Sequence, residues 1–237
     1  MIKLICKTTL LTLLICCTAF IAKAQLGYNY SQFDVGTSVG FNQVYGDAAP
    51  QKTTASINFN FTFNATPYTN FVFEAQLGQF AAGDSTKSPG LQFTSSFYAF
   101  IFRGQLQFGE FLDYQRSPFL NAVKNLYVSA GVGYLYNHVT EISRAPASEI
   151  AGLTINSTLR TQEPFIPLRL GYEFKVFNQY QQPSLKVDVG YEYNYILSDN
   201  ADGYLYSGRK DAFTQIFIGV KFAIGGGVVS YRKQIHY

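Results

Sequence analysis

The stretch Leu185-Lys-Val-Asp-Val-Gly-Tyr-Glu-Tyr-Asn-Tyr195 decides the fold. Its odd positions carry Leu185, Val187, Val189, Tyr191, Tyr193 and Tyr195, and its even positions Lys186, Asp188, Gly190, Glu192 and Asn194. A period of two marks a β-strand, because successive side chains leave a strand on opposite faces. One face here is apolar or aromatic throughout. The other mixes charge, amide and glycine.

The same rhythm recurs on both sides of this stretch. Residues 33–45 set Phe33, Val35, Val39, Phe41 and Tyr45 against Asp34, Gly36, Ser38, Gly40 and Asn42. Residues 56–63 set Ile57, Phe59, Phe61 and Phe63 against Ser56, Asn58, Asn60 and Thr62, and 71–77 set Phe71, Phe73, Ala75 and Leu77 against Glu74 and Gln76. Residues 96–108 place Tyr98, Phe100, Phe102, Leu106 and Phe108 opposite Arg103, Gln105 and Gln107. Residues 126–136, 166–174 and 213–224 repeat the scheme, with Ser129, Gly131 and Gly133, then Arg169, Gly171 and Glu173, then Gln215, Gly219 and Lys221 on the polar side. Eight strands result, each near the ~9–11 residues that a tilted membrane strand needs. We read an all-β chain, an eight-stranded antiparallel up-and-down transmembrane β-barrel over residues 25–224.

Alternation does not say which face looks inward, since a soluble lipocalin-type barrel also has eight strands. Composition and position decide it. Charged residues are 14% of the chain, against ~25% in soluble domains. Few charges and many Tyr and Phe suit a lipid-facing wall. The polar faces are rich in Gly, Ser and Asn, which fit the cramped interior of an eight-stranded barrel. Aromatics also gather at strand ends on the apolar face. Tyr45, Tyr134, Tyr136, Tyr193 and Tyr195 mark one end, and Phe61, Phe63, Phe108, Tyr172, Phe174 and Phe222 the other. Two such girdles frame a membrane barrel.

The opening residues carry Lys3 and Lys7, an apolar run over 8–21 and Ala22-Lys-Ala24 before Gln25. That is a signal peptide over residues 1–24, and the run is too short to cross ~30 Å of hydrocarbon comfortably. Leu14-Ile15-Cys16-Cys17 offers a lipoprotein alternative with Cys17 acylated, but Cys16 stands where such sites carry a small residue. All three cysteines lie in this segment, so disulfides and thiol chemistry are not expected in the mature chain. Without Lys3, Lys7 and Lys23, fifteen basic residues face fifteen acidic ones. No basic stripe points to nucleic acid. A short periplasmic tail is expected over residues 225–237, and a short helix at Pro118 to Lys124 within the connection 109–125.

Several segments resemble a known family. Val44-Tyr-Gly-Asp47, Asn125-Leu-Tyr-Val-Ser-Ala-Gly-Val-Gly-Tyr134, Ile166-Pro-Leu-Arg-Leu-Gly-Tyr-Glu-Phe174 and Val189-Gly-Tyr-Glu-Tyr-Asn-Tyr195 are similar to the small outer-membrane barrels of Bacteroidota, an OmpA-like or PorT-like superfamily. Gly219, Phe222 and Ile224 match the spacing of a barrel assembly signal in such families. The resemblance implies a bacterial outer-membrane location. It implies a structural or interaction role, in envelope assembly or secretion machinery, with lipid and envelope proteins as partners of a monomeric barrel. OmpA-type proteins often add a peptidoglycan-binding domain, of which the residues after Gly225 show nothing.

Two constellations can carry chemistry. His138, Thr140 and Glu141 resemble the His-x-Ser and Glu arrangement of lipid A deacylases, with a base beside a hydroxyl. Thr replaces Ser, and Glu141 is adjacent rather than on a later strand, so an ordinary rim histidine and no catalysis is the expectation. The two histidines, His138 and His236, are far apart in sequence, and neither a metal site nor a cofactor is expected. The second constellation is the inward charge set: Asp34, Glu74, Glu173, Asp188 and Glu192 with Arg103, Arg169, Lys175, Lys186 and Lys221. Five acids balance five bases, so a plug of ion pairs is expected, a narrow passive channel being the alternative. Closure of the last strand on the first places Lys221 near Asp34 and Asp188, and a bridge from Lys221 to Asp34, Asp188 or both is expected.

Overall fold

The computed structural model describes residues 27–46, 48–84, 91–114, 117–142, 153–155, 159–179, 182–198, 204–206 and 210–232. The expected signal peptide, the Cys17 alternative, His236 and residues 233–237 lie outside the described residues. The strands are β1 Gly27–Tyr45, β2 Thr54–Asn64, β3 Thr69–Gly83, β4 Gln92–Gln107, β5 Leu126–Ile142, β6 Leu153–Ile155, β7 Arg160–Phe177, β8 Pro183–Ile196, β9 Tyr204–Tyr206 and β10 Ala212–Arg232. Eight of them close a barrel in the order β1-β10-β8-β7-β5-β4-β3-β2, every pair antiparallel. Neighbours in sequence are neighbours in space, as in an up-and-down barrel. The seam joins β1 to β10, so no edge remains unpaired.

The strands are longer than the alternation indicated. β5 reaches Ile142 and β7 starts at Arg160, which shortens the connection between them. The pair β6 and β9, absent from the sequence reading, links the two longest loops. At the other end, β10 does not stop at Ile224. It continues to Arg232, and Val228 to Arg232 pair with Gly27 to Ser31. Gly225-Gly-Gly227 is therefore a bulge inside the strand and not the start of a tail. The φ of +87° at Gly225 lies in the left-handed region, where a side chain would be strained. Phe108 also departs from expectation: it opens a 3-10 turn, because β4 ends at Gln107. The expected helix is present as α1, Pro118–Val123, with Ser117 accepting from the Phe119 amide.

The two faces separate as an outer-membrane-type barrel requires. Outward lie Val39, Phe59, Phe73, Phe102, Val132, Leu170, Ile216 and Ile218, all exposed. Val132, at 64% exposure, would cost about 1.5 kcal/mol or more to leave in water, and a belt of such side chains makes no sense except against lipid. The polar faces turn in. Inward glycines make room for inward rings on the adjoining strand: a Cβ on Gly133 would lie 2.3 Å from the Phe165 ring, and one on Gly190 would lie 2.9 Å from Phe217. The glycine of each Val-Gly-Tyr stretch is thus a packing requirement of the lumen.

Candidate functional site

The lumen is filled, and in layers. Towards the long loops, inward residues are apolar: Phe80, Phe97, Phe165, Phe213, Leu135 and Ile196 are buried together. Phe80 stacks on Phe97 with centroids 4.1 Å apart, and Phe213 tilts against both at 5.0 and 6.1 Å. The sequence reading missed this layer. Those phenylalanines belong to the inward set, but the polar residues beside them carried the weight of the face.

Below it, the ten charges expected to face inward are all buried and fall into two groups, each electrically balanced. In the first, Arg103 donates to Glu74 at 2.7 Å, while Arg169 reaches Glu74 at 2.8 Å and Glu192 at 2.5 Å. Phe217 lies under the Arg169 guanidinium, 4.0 Å from its carbon to the ring centroid. Gln76 donates to Glu74 and Glu192 at 2.8 and 3.2 Å, so each carboxylate has several donors. Beside this group an amide layer runs from Gln215, which donates to Asn42 and Ser56 at 2.8 and 2.9 Å and accepts from Asn58 at 3.0 Å.

The second group lies nearer the termini. Lys221 reaches Asp188 at 2.7 Å and Glu173 at 3.1 Å, and Lys186 reaches Asp34 at 2.5 Å. Of the two partners that closure offered Lys221, it takes Asp188, and Asp34 goes to Lys186. Lys186 and Lys221 are register partners, and each extends to a carboxylate on the other's side. The same Asp34 oxygen, Oδ2, also accepts from the Asn64 amide at 2.8 Å. Lys175 lies 3.8 Å from Glu173 and donates to Gln107 and to the Pro67 carbonyl at 2.7 and 2.8 Å. Tyr127, inward and unremarked in the sequence, donates to Asp188 at 2.7 Å.

The terminal end is capped as well. Tyr30, Tyr68 and Tyr114 cluster there, with Lys175 4.9 Å above the Tyr68 ring. Lys124, just past α1, stands 5.0 Å over Tyr114, and burial pulls its ammonium pKa below the ordinary lysine value. Along the barrel axis the described residues thus place an apolar stack, two ionic layers and a tyrosine cap.

The outward candidate sits elsewhere. His138 and Thr140 share the exterior face with Tyr134 and Tyr136 at the long-loop end of β5. The register places Ser96 of β4 on one side of His138 and Arg160 of β7 on the other. These residues, with Tyr98, Tyr136, Thr140 and Gln162, line a cavity of about 490 Å³. Thr140 is not poised as a nucleophile for His138. Its hydroxyl donates to the Thr94 carbonyl at 3.0 Å, and Glu141 is paired opposite Thr94 and does not line the cavity. Ser96 and Arg160 could not be found by scanning near His138, because they come from strands distant in the chain.

No protein-family model and no curated protein matches the chain. Solved structures do. Neisserial surface protein A is 13% identical, covering 82% of this chain and 98% of its own, with a TM-score of 0.48. The attachment invasion locus protein Ail of Yersinia pestis is 10% identical over 81% and 99%, with a TM-score of 0.43. The outer membrane protein AlkL, solved in lipid bilayers, is 15% identical over 91% and 97%, with a TM-score of 0.42. These neighbours are small outer-membrane β-barrels.

Proposed function

We propose that this chain is an integral protein of a bacterial outer membrane, delivered by a cleaved signal peptide, with a structural or interaction role and no catalysis. The distribution of side chains carries the reading. An apolar exterior calls for lipid, and an interior stacked with phenylalanines and balanced ion pairs speaks against a path for solute. The segments similar to OmpA-like and PorT-like barrels of Bacteroidota favour a place in envelope assembly or a secretion machine, as a monomeric barrel bound by lipid and envelope proteins. Thr140's bond to a backbone carbonyl weighs against deacylase chemistry.

Two measurements test this. Fractionation and gel mobility with and without boiling should show an outer-membrane protein whose mobility shifts on heating. Extraction by carbonate with unchanged mobility would overturn the barrel in the membrane. Planar bilayers should show no conductance, and steady channels would overturn the closed lumen.

A further inference from the structure

We infer that the exterior cavity between β4, β5 and β7 binds the phosphate headgroup of a lipid; this rests on the membrane reading proposed above. Two cross-strand rungs build it. The upper rung is Ser96, His138 and Arg160, and the lower is Tyr98, Tyr136 and Gln162. The exterior changes character between them. Tyr98 and Tyr136 continue the apolar belt, with 54% and 40% of their surface exposed, and one rung further the wall becomes polar and cationic. Tyrosines mark the boundary between hydrocarbon and headgroups, so the cavity straddles that boundary.

The lining is built for an anion. Among the described residues it holds a guanidinium, an imidazole, a serine hydroxyl and two amides, and no carboxylate. Among the described residues Arg160 makes no ion pair, although it projects from a wall that faces lipid one rung beyond the tyrosines. At headgroup depth a cation is stabilised by an anionic group that meets it. The guanidinium fork matches phosphate oxygens in a bidentate manner. Tyr134 donates to the Gln162 side-chain oxygen at 3.5 Å, which leaves the Gln162 amide nitrogen to donate into the cavity. A volume of about 490 Å³ suits a headgroup. The ligand chemistry is thus a phosphate monoester or diester above and acyl chains below, along the tyrosine rings.

The chain contains no tryptophan, so one introduced indole reports its surroundings alone. Tyr98→Trp places the reporter in the cavity, and Phe59→Trp places one in the belt on β2. Each variant is reconstituted into phosphatidylcholine vesicles containing either brominated phosphatidic acid or brominated phosphatidylcholine. In the Tyr98→Trp protein, phosphatidic acid should associate roughly fivefold more strongly, the factor that one basic residue contributes at an anionic surface. In the Phe59→Trp protein the two lipids should quench equally. Adding Arg160→Gln and His138→Gln to Tyr98→Trp should erase the preference while the heat-shifted mobility is kept. Equal quenching of the cavity reporter, or a preference that survives the two added substitutions, overturns the site. Loss of the preference on adding inorganic phosphate at equal ionic strength would make the ligand a free anion and overturn the lipid assignment. Absence of any quenching of the belt reporter would instead overturn the membrane reading.

Discussion

The two halves of the lumen solve one packing problem with different chemistry. Towards the long loops, Phe80, Phe97, Phe165 and Phe213 fill the bore by volume. Towards the termini, two balanced groups of charges fill it by pairing, around Glu74 with its two arginines and around Lys186–Asp34 and Lys221–Asp188. The apolar half depends on shape and is indifferent to small changes that conserve volume. The ionic half depends on every partner being present, because removal of one strands another in a site shut off from water. The difference teaches that a filled barrel can be soft at one end and brittle at the other.

The sharpest break is expected at Glu74, where two arginines converge. Glu74→Gln keeps the shape and removes the charge, and unfolding by urea in detergent should show a loss of about 3–5 kcal/mol. A loss below about 1 kcal/mol would mean that water screens the group, and the contrast between the halves would fail. Next comes Gly133→Ala, which drives a methyl group into the Phe165 ring. A cost of about 1–3 kcal/mol is expected from overpacking, and a second change, Phe165→Leu, should recover most of it. If the double variant is no better than the single one, the glycine serves the backbone and not the ring.

Tyr127→Phe removes the donor to Asp188 and nothing else in the lower ionic group. Thermal or urea unfolding should register about 1.5–3 kcal/mol, the range for a hydrogen bond to a charged group, with Lys221 still holding Asp188 and favouring the low end. The smallest effect belongs to the apolar half. Leu135→Met conserves volume, should cost less than about 1.5 kcal/mol and should leave bilayer conductance absent, because the ionic layers still fill the bore. Conductance in that variant would show that the apolar layer alone is the seal.

Much of the fold was legible along the chain. A strand's period is two whatever its surroundings, so Leu185 to Tyr195 declared both its structure and its faces. Eight such segments with hairpin connections leave an up-and-down barrel as the arrangement without an open edge. Strand ends were harder. The bulge at Gly225-Gly-Gly227 interrupts the alternation, so the last eight residues of β10 looked like tail. The outward candidate was half legible: His138 and Thr140 stand together in sequence, whereas Arg160 and Ser96 join them only through pairing.

What the sequence alone determined is therefore local: which residues form strands, which face each side chain takes, and that ten of the inward charges form a balanced set. Only the tertiary structure decided at what depth those side chains meet. Strands in a closed barrel are tilted and staggered, and the stagger depends on every pairing around the ring at once. It is this stagger that sends Lys186 to Asp34 and Lys221 to Asp188, gathers four phenylalanines from four strands into one stack, and sets Arg160 beside His138.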